Sequence, residues 1–393
     1  MSKIFFIWSI IGLILLRIVL LALFLNNIPD TNIQPTWRPL FQGSYQPDEI
    51  VFFNLAKSLT DFKPIPSIVY IGHAIFLAPF IYFTDATNIE MAIKPLILVQ
   101  GVIVWSFALI FIVLIGLHFF RNKKLALMSG FIFLIYPYLL YGLYKLVNPK
   151  TAIAAFQYQM WILMLSDYLS ACFILLTMWL AIKFTARLKN MESGLYNPTI
   201  LLGITAGITA LVRPPNLAIP AFLFFFFLYL KKFRAAFILG FSAFLAYLPQ
   251  LIYNTYFFGK PWLFGNPVLN NAGVAEATGA FVQKNFTFSN YWLNFSYFSP
   301  NHYLLFFLAA FSFMFIILFF GLRYLRKTNA GLIPIFVFWF LFYWLFYGSF
   351  GGSLSQLRYF LPLIPVFIYF FLASVSYFIN FLNNDRGLVE KIF

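Results

Sequence analysis

The sequence predicts an all-α, polytopic membrane protein, and three observations lead to this fold class. Hydrophobic residues make up 62% of the 393 residues and charged residues only 9%, with a mean hydropathy of +0.87. A soluble domain carries about a quarter charged residues, so this chain could not cover its surface with polar groups. The apolar residues form long unbroken runs, which suit bilayer-crossing helices and not the alternating strands of a membrane barrel. The basic residues lie in small clusters between those runs, as topology signals do.

The apolar runs predict about ten membrane-spanning helices, because about 20 apolar residues cross a bilayer as a helix. The first follows Lys3, is longer than a signal-peptide core and has no small-residue cleavage site after it, so we expect an uncleaved anchor. The two runs that flank Arg213-Pro214-Pro215 are short, and we expect them to be tilted, broken or incompletely spanning. The predicted spans are 4–25, 95–119, 125–144, 160–182, 200–212, 216–230, 235–257, 302–322, 330–349 and 360–382.

The basic clusters predict the orientation. Alternation of the ten spans brings the clusters to one side, which the positive-inside rule makes cytoplasmic, with both termini there and a plasma or inner membrane as the location. Residues 66–83 are apolar enough to be an eleventh span, but a crossing there would move every later cluster outward. We therefore interpret 66–83 as a re-entrant or interfacial segment at the outer face. The clusters are Lys3, Arg121/Lys123/Lys124, Lys183/Arg187/Lys189, Lys231/Lys232/Arg234, Arg323/Arg326/Lys327 and Arg386/Lys391.

The chain is predicted to be a single transmembrane domain over residues 1–393, with two long outer loops at 26–94 and 258–301. Any chemistry is therefore expected at the outer membrane surface or in a cavity open to it. The net charge of +15 is spread over topology clusters and forms no basic stripe, so we expect no nucleic-acid partner. The sequence has neither a Gly-x-x-x-x-Gly-Lys-Ser/Thr loop for ATP nor an Asp-x-Asp pair for a metal-bound nucleotide sugar.

Three acidic residues stand out. Asp48 and Glu49 follow Pro47, and two acids after a proline are typical of the first turn of a helix, where the helix dipole favours carboxylates. The helix that follows has an apolar face and is expected on the outer membrane surface; its acids could equally be a cap and a solvated charge. Asp167 lies near the outer end of a predicted span, where a charge usually faces a cavity or a partner. A structural ion pair with Arg17 or with a loop lysine is the alternative for Asp167.

Basic residues on the predicted outer side could bind a phosphate at headgroup depth, because a guanidinium offers a fixed fork of donors. They are Lys63, Lys94, Arg213 and Arg358, and each alone would also suit contact with a lipid headgroup. His73 is a lone histidine in an apolar segment, which favours packing over metal binding. With only three histidines in the chain we predict no metal site and no cofactor, although a divalent metal stays open.

The motifs, in their order along the chain, resemble the GT-C glycosyltransferases that use polyprenyl-phosphate sugars, a superfamily that includes the protein O-mannosyltransferases and the aminoarabinose transferases of lipid A (glycosyltransferase family 39-like). The resemblance covers most of the chain. One departure is Val51-Phe52, where the family often has Arg-Tyr. The matching motifs are Asp48-Glu49 with Ala56, Lys63-Pro64, Leu165-Ser166-Asp167, Arg213-Pro214, Pro249-Gln250 to Asn254 with Phe258-Gly259-Lys260-Pro261, and Arg358-Tyr359-Phe360-Leu361-Pro362.

The resemblance implies transfer of a sugar from a polyprenyl-phosphate donor to a hydroxyl of a lipid, glycan or protein acceptor, within a membrane, with inversion. Asp48 matches the family's general base. Glu49 is then expected to hold a basic partner or the sugar, and Asp167 to position donor or acceptor. The three cations Lys63, Arg213 and Arg358 are expected to bind the donor phosphate, which a monophosphate leaving group permits without a metal.

Two other classes of function stay open from the residues alone. A secondary transporter or lipid flippase would explain the spans, the intramembrane Asp167 and the break at Arg213-Pro214-Pro215. Against this class, the charges gather at the outer face and no inverted repeat is visible. A non-catalytic membrane scaffold is the third class, and the carboxylates of the first outer loop count against it.

Overall fold

The computed structural model describes residues 2–26, 47–147, 159–188, 196–265, 303–348 and 358–389, and these ranges hold helices and no strand. Residues 266–302, which include most of the predicted outer loop 258–301, lie outside the described residues. The helices are α1 (Lys3–Asn26), α2 (Pro47–Thr60), α3 (Ile71–Thr84), α4 (Ile89–Leu98), α5 (Trp105–Phe120), α6 (Lys123–Val147), α7 (Ser166–Leu188), α8 (Tyr196–Val212), α9 (Ala218–Tyr229), α10 (Phe233–Phe258), α11 (Tyr303–Asn329), α12 (Ile333–Gly348) and α13 (Ile364–Val389).

Most of each of the ten apolar stretches lies in helices, and the chain is an integral membrane protein. Within the described ranges, six stretches are long and apolar enough to cross a membrane, and four shorter apolar helices accompany them. The number of crossings, the outer position of the site and the cytoplasmic termini stay predictions. The six long stretches are Lys3–Leu23, Pro95–Phe120, Lys123–Leu143, Ser166–Thr185, Phe233–Phe258 and Ser312–Leu345.

Two departures from straight helices lie close to the predicted site. The stretch predicted as a span from residue 160 begins its helix only at Ser166, and residues 160–165 form a buried turn. Between α4 and α5, residues Val99–Val104 form a π-helix. A π-helical turn in an otherwise α-helical segment frequently marks a functional site. The two departures contact each other, because Gln100 of the π-helix donates from Nε2 to the carbonyl of Leu163 in the turn.

Helices α8 and α10 pack very closely. Gly203 and Gly207 lie four residues apart on α8 and face α10, where a Cβ at Gly203 would be 2.6 Å from the carbonyl oxygen of Leu239. Small residues at this spacing let two helix backbones approach within a membrane, where the hydrophobic effect gives no help. This close packing fixes the end of α8 that leads into Arg213.

The first loop is folded against the bundle. Helix α2 buries Phe52, Leu55 and Ala56 in one apolar cluster with α3, so α2 is a packed helix and not only a surface one. Helix α3 has 14 residues, roughly 21 Å at 1.5 Å per residue, which is shorter than the ~30 Å hydrocarbon core. That length suits the predicted interfacial or re-entrant segment at 66–83, which stays a prediction.

The predicted Pro-Gln…Asn…Phe-Gly-Lys-Pro stretch holds α3 in place. The Gln250 side chain accepts from the backbone N–H of Ile71 at 3.1 Å, where α3 starts, and donates to Asn254 Oδ1 at 2.8 Å. Asn254 in turn donates to the carbonyl of Pro261 at 2.8 Å. These motif residues therefore have a structural role: they tie the start of α3 to the end of α10.

Candidate active site

Four of the six predicted site residues meet in one cluster. Asp48, Asp167, Arg213 and Arg358 come from four separate parts of the chain, and their side chains form a continuous chain of ion pairs. Arg358 lies 310 residues from Asp48 in sequence. The alternative pairing of Asp167 with Arg17 or with a loop lysine is wrong, because Asp167 pairs with Arg213 and Arg358.

The cluster alternates in sign along its length. Arg358 Nη2 lies 2.7 Å from Asp48 Oδ2, and Arg358 Nε lies 3.5 Å from Asp167 Oδ2. Arg213 Nη1 donates to the other oxygen of Asp167. One guanidinium thus bridges two carboxylates, and one carboxylate bridges two guanidinium groups. The formal charges of these four residues cancel, which offsets part of the cost of burying Asp167 between the two arginines.

The two ends of this chain differ in exposure. The Asp48 side chain is 43% exposed, whereas the Asp167 side chain is 4% exposed. Burial lowers the pKa of Arg358, but the charges of Asp167, Tyr359 and Asp48 and a hydrogen bond with Tyr359 together outweigh burial, so the pKa of Arg358 lies well above the ordinary value. Arg358 is therefore a permanent cation, and Asp48 is the carboxylate that a solute can reach.

Local chain geometry places each of these charges at the end of a helix. Asp48 is in the first turn of α2 and Asp167 in the first turn of α7, where exposed backbone N–H groups favour anions. Arg213 has an extended backbone because the 3₁₀ turn Pro214–Leu217 interrupts the helical run between α8 and α9. Arg358 opens the turn that leads into α13. The cluster therefore lies where several helices begin or end.

Two tyrosines lie beside the cluster, and neither was predicted as a site residue, although Tyr359 belongs to the motif that begins at Arg358. The ring of Tyr359 lies 4.3 Å from Arg213 Cζ and 5.1 Å from Arg358 Cζ, and its hydroxyl accepts from Arg358 Nη2 at 3.3 Å. Tyr70 immediately precedes α3, and burial raises its pKa, while the nearby charge of Arg213 lowers it in part. The phenol of Tyr70 is therefore a neutral hydrogen-bond donor beside the cluster. In the sequence, both tyrosines look like members of an interfacial aromatic belt.

The buried Asn216 holds the turn next to Arg213 in place. Asn216 donates to Ser170 Oγ on α7 at 2.8 Å and accepts from the Tyr343 hydroxyl on α12 at 2.8 Å. Ser170 lies one helical turn after Asp167. These hydrogen bonds therefore fix the turn that carries Arg213 against the same helix that carries its ionic partner.

The remaining two predicted site residues lie elsewhere. Glu49 is 1% exposed, and its carboxylate accepts from the backbone N–H of Met164 at 2.8 Å. Lys63 is exposed and follows the far end of α2, which from Asp48 to Thr60 extends roughly 18 Å. The side chain of Lys94 is outside the described part of the chain. His73 is fully buried beside the ring of Phe52, at a centroid distance of 4.7 Å, as the packing interpretation predicts.

Carboxylates available to a metal are few at this site. Across the described ranges, no group of three or more His, Cys, Asp or Glu side chains could hold a metal ion. The two carboxylates of the cluster, Asp48 and Asp167, both contact arginine. In the described residues, the cluster presents an accessible carboxylate next to two guanidinium groups.

Comparison with known proteins gives a structural likeness. No protein-family model and no curated protein matches the chain. Three solved structures of the oligosaccharyltransferase of Archaeoglobus fulgidus resemble it. The apo form matches with a TM-score of 0.57 and 14% identity over 100% of this chain and 52% of that one. The complex with an inhibitory peptide and a dolichol-phosphate matches with a TM-score of 0.60 and 14% identity over 99% and 52%.

The third structure, tethered to an acceptor peptide with an NVT sequon, has a TM-score of 0.55 and 15% identity over 98% of this chain and 51% of that one. The fold is of the GT-C type. At this low identity the likeness concerns the fold, and the chain spans about half the length of the structures it resembles. The predicted GT-C fold is confirmed, whereas the closer relation to family 39 stays a prediction.

Proposed function

We propose that the protein is a membrane glycosyltransferase that moves a sugar from a polyprenyl-phosphate donor to an acceptor hydroxyl at the outer face of the membrane. The observation that supports this most is the chain Asp48–Arg358–Asp167–Arg213 within a GT-C fold. It combines a reachable carboxylate with two adjacent guanidinium groups. A fold by itself does not fix a function, so the proposal depends on the chemistry of this site.

In the proposed complex, Arg213 and Arg358 bind the donor phosphate. Both already contact Asp167, and the Tyr359 ring packs against both, so their guanidinium groups are held near each other. Arginine matches phosphate oxygens with paired, charge-assisted hydrogen bonds. Lys63 is left out of this phosphate site, because its side chain lies beyond the opposite end of α2.

The transfer is proposed as one displacement at the anomeric carbon. The acceptor oxygen forms a bond to that carbon as the bond from the carbon to the phosphate oxygen breaks. The acceptor proton goes to Asp48, and the electron pair of the broken bond leaves with polyprenyl phosphate, which the two arginines stabilise. One displacement inverts the anomeric centre. Asp167 keeps the arginines in place and takes no proton.

A capping role alone does not account for Asp48. Its Oδ2 atom contacts Arg358, a residue far along the chain, so the carboxylate serves a tertiary contact at the site. The two roles predicted from the sequence, general base and helix cap, therefore predict different results for Asp48→Asn. A general base contributes typically about 10²–10⁴-fold to a rate, and an amide cannot replace it.

The test is a donor-consumption assay with the purified protein in lipid nanodiscs and radiolabelled polyprenyl-phosphate sugars. Wild type should convert the donor to free polyprenyl phosphate and a labelled product. Arg213→Gln and Arg358→Gln should weaken donor use strongly. The matched control is Arg326→Gln, which removes an exposed charge at the end of α11 and should leave the rate within about twofold. Donor that stays intact with wild type across several donor sugars would refute the transferase function.

A lipid flippase is the second candidate, and one observation favours it. The helix break at Pro214–Leu217 lies beside the buried Asp167–Arg213 pair, an arrangement that transporters use at their binding sites. Proteoliposomes separate the two functions. A flippase would move labelled lipid phosphate between leaflets without breaking the sugar–phosphate bond, whereas a transferase would break that bond.

A further inference from the structure

The buried turn at residues 160–165 is held by three polar side chains from three different elements. Arg17 Nη2 donates to the carbonyl of Met160 at 2.5 Å, and Gln100 Nε2 donates to the carbonyl of Leu163. The carboxylate of Glu49 accepts from the N–H of Met164 at 2.8 Å. Arg17 lies on α1, Gln100 on the π-helix and Glu49 on α2. We call these three residues the turn clamp.

The turn clamp is costly to bury. Arg17 and Gln100 are 0% exposed and Glu49 is 1% exposed. Polar and charged groups removed from water destabilise a fold unless they are hydrogen-bonded, and here Arg17 Nη2, Gln100 Nε2 and the Glu49 carboxylate each bond to a backbone group of one short segment. Arg17 also donates from Nε to the carbonyl of Gly101 at 3.3 Å and lies 4.8 Å from the ring of Trp105.

The turn itself is strained. Trp161 has φ 61°, a left-handed conformation that costs a non-glycine residue roughly 1–2 kcal/mol. The backbone would relax from this conformation unless its surroundings held it. The turn clamp provides such a hold on both sides of the strained residue, at Met160 and at Leu163–Met164.

The turn directly precedes a residue of the site, which gives a reason for holding the turn in place. Asp167 follows Met164 by three residues, in the first turn of α7, and it is the carboxylate that joins Arg213 to Arg358. A shift of the turn would move Asp167 and, through it, both guanidinium groups. Displacements of about 1 Å from remote changes can cost about 10²-fold in rate.

We propose that Arg17, Gln100 and Glu49 are positioning residues that act through Asp167. Glu49 thereby couples α2, which carries Asp48, to the segment that carries Asp167, so the two carboxylates of the site are set by one connected structure. This role rests on the proposed transferase function. It assigns Glu49 no contact with sugar, phosphate or acceptor.

The first test compares variants that remove or keep the backbone hydrogen bond. Glu49→Leu and Gln100→Leu should each lower kcat by about 10- to 100-fold, with the donor KM changed less than about threefold. Glu49→Gln keeps an acceptor oxygen and should recover most of that loss. The matched control is Tyr369→Phe, which removes a buried bond to the carbonyl of Ile112 (2.7 Å) and should leave kcat within about twofold. Equal losses in Glu49→Gln and Glu49→Leu would contradict the positioning role.

The second test asks whether the effect passes through Asp167. In an Asp167→Asn background, Glu49→Leu should add less than about twofold to the loss, because coupled residues are not additive. Independent, additive losses would overturn the coupling. If Glu49→Leu does not fold, the same cycle is run with Gln100→Leu.

A third measurement needs no turnover. Hydrogen–deuterium exchange of the peptide that spans residues 160–167 should speed up in Glu49→Leu and Gln100→Leu but not in Tyr369→Phe. Unchanged exchange in both leucine variants would refute the turn clamp even if wild type transfers sugar. Conversely, a wild type that uses no donor would refute the transferase function, while faster exchange would still support the clamp.

Discussion

Replacing Asp48 by asparagine separates the catalytic role from the structural one. The Asp48 side chain is 43% exposed and lies 2.7 Å from Arg358 Nη2. Asparagine keeps the shape and one oxygen that can accept from Arg358, and exposed ion pairs are worth about 0–1 kcal/mol, so Asp48→Asn should destabilise the fold by less than about 1 kcal/mol. Turnover should fall by about 10²–10⁴-fold, which corresponds to about 2.7–5.4 kcal/mol of lost transition-state stabilisation.

Asp167→Asn should, in contrast, mainly destabilise the fold. Asp167 is 4% exposed and lies between Arg213 and Arg358, so its neutralisation leaves two guanidinium groups with one charged partner. Breaking a buried pair in this way costs about 3–5 kcal/mol, and we expect a lowered melting temperature with weaker donor binding. The two variants therefore differ in stability by several kcal/mol and differ in which kinetic constant changes.

The assay combines donor consumption with thermal unfolding of the same samples. Asp61→Asn is the matched control, because Asp61 is an exposed carboxylate just past the other end of α2. Wild-type turnover in Asp48→Asn would refute the general-base role and leave only the contact with Arg358. Equal destabilisation by Asp48→Asn and Asp167→Asn would refute the reasoning from burial.

Three further predictions concern the phosphate site, the neutral phenol and the topology. Arg358→Lys keeps the charge but lacks the planar fork of donors that pairs with phosphate oxygens, so donor KM should rise by about 10- to 100-fold; an unchanged KM measured by donor titration would remove Arg358 from the phosphate site. Tyr70→Phe should lower turnover by about 2- to 12-fold, and equally from pH 6 to pH 9, because the raised pKa of Tyr70 keeps the phenol protonated over that range. A loss of turnover confined to one end of the range would contradict this prediction. In a Cys172→Ser background, a cysteine at Asp61 should react with a membrane-impermeant thiol reagent added outside and one at Lys124 only after permeabilisation; the reverse pattern would invert the topology.

The helices could be predicted from sequence because the bilayer imposes a simple length and polarity rule on each one. The start of α7 could not be predicted from the sequence. Residues 160–165 are as apolar as the span that follows, and nothing in their pattern distinguishes a turn from a helix. The turn depends on Arg17, Gln100 and Glu49, which reach it from distant parts of the chain. Tertiary contacts of this kind have no local signature.

The charged residues of the site could be selected because charges are rare in this chain and apolar surroundings make them conspicuous. Their pairing could not be predicted, since Asp48 and Arg358 meet only through the folded bundle. The separation of Asp48 from Glu49 could have been predicted. Consecutive residues on an α-helix point about 100° apart, so the side chains of Asp48 and Glu49 leave α2 in different directions. Similarly, the length of α2 already separates Lys63 from Asp48.

The alternating charges of the site imply an order of binding. In the structure Asp48 is engaged by Arg358, the same guanidinium that is proposed to bind donor phosphate. Arrival of the phosphate would draw Arg358 from Asp48, so the carboxylate becomes available to the acceptor hydroxyl only once donor is bound. We therefore predict that donor binds first. Polyprenyl phosphate, as the product, should compete with donor and should be required before a soluble acceptor analogue binds measurably in equilibrium titrations. Acceptor affinity that is the same with and without polyprenyl phosphate would show that Asp48 is available from the start, and the Asp48–Arg358 contact would then have no part in ordering the reaction.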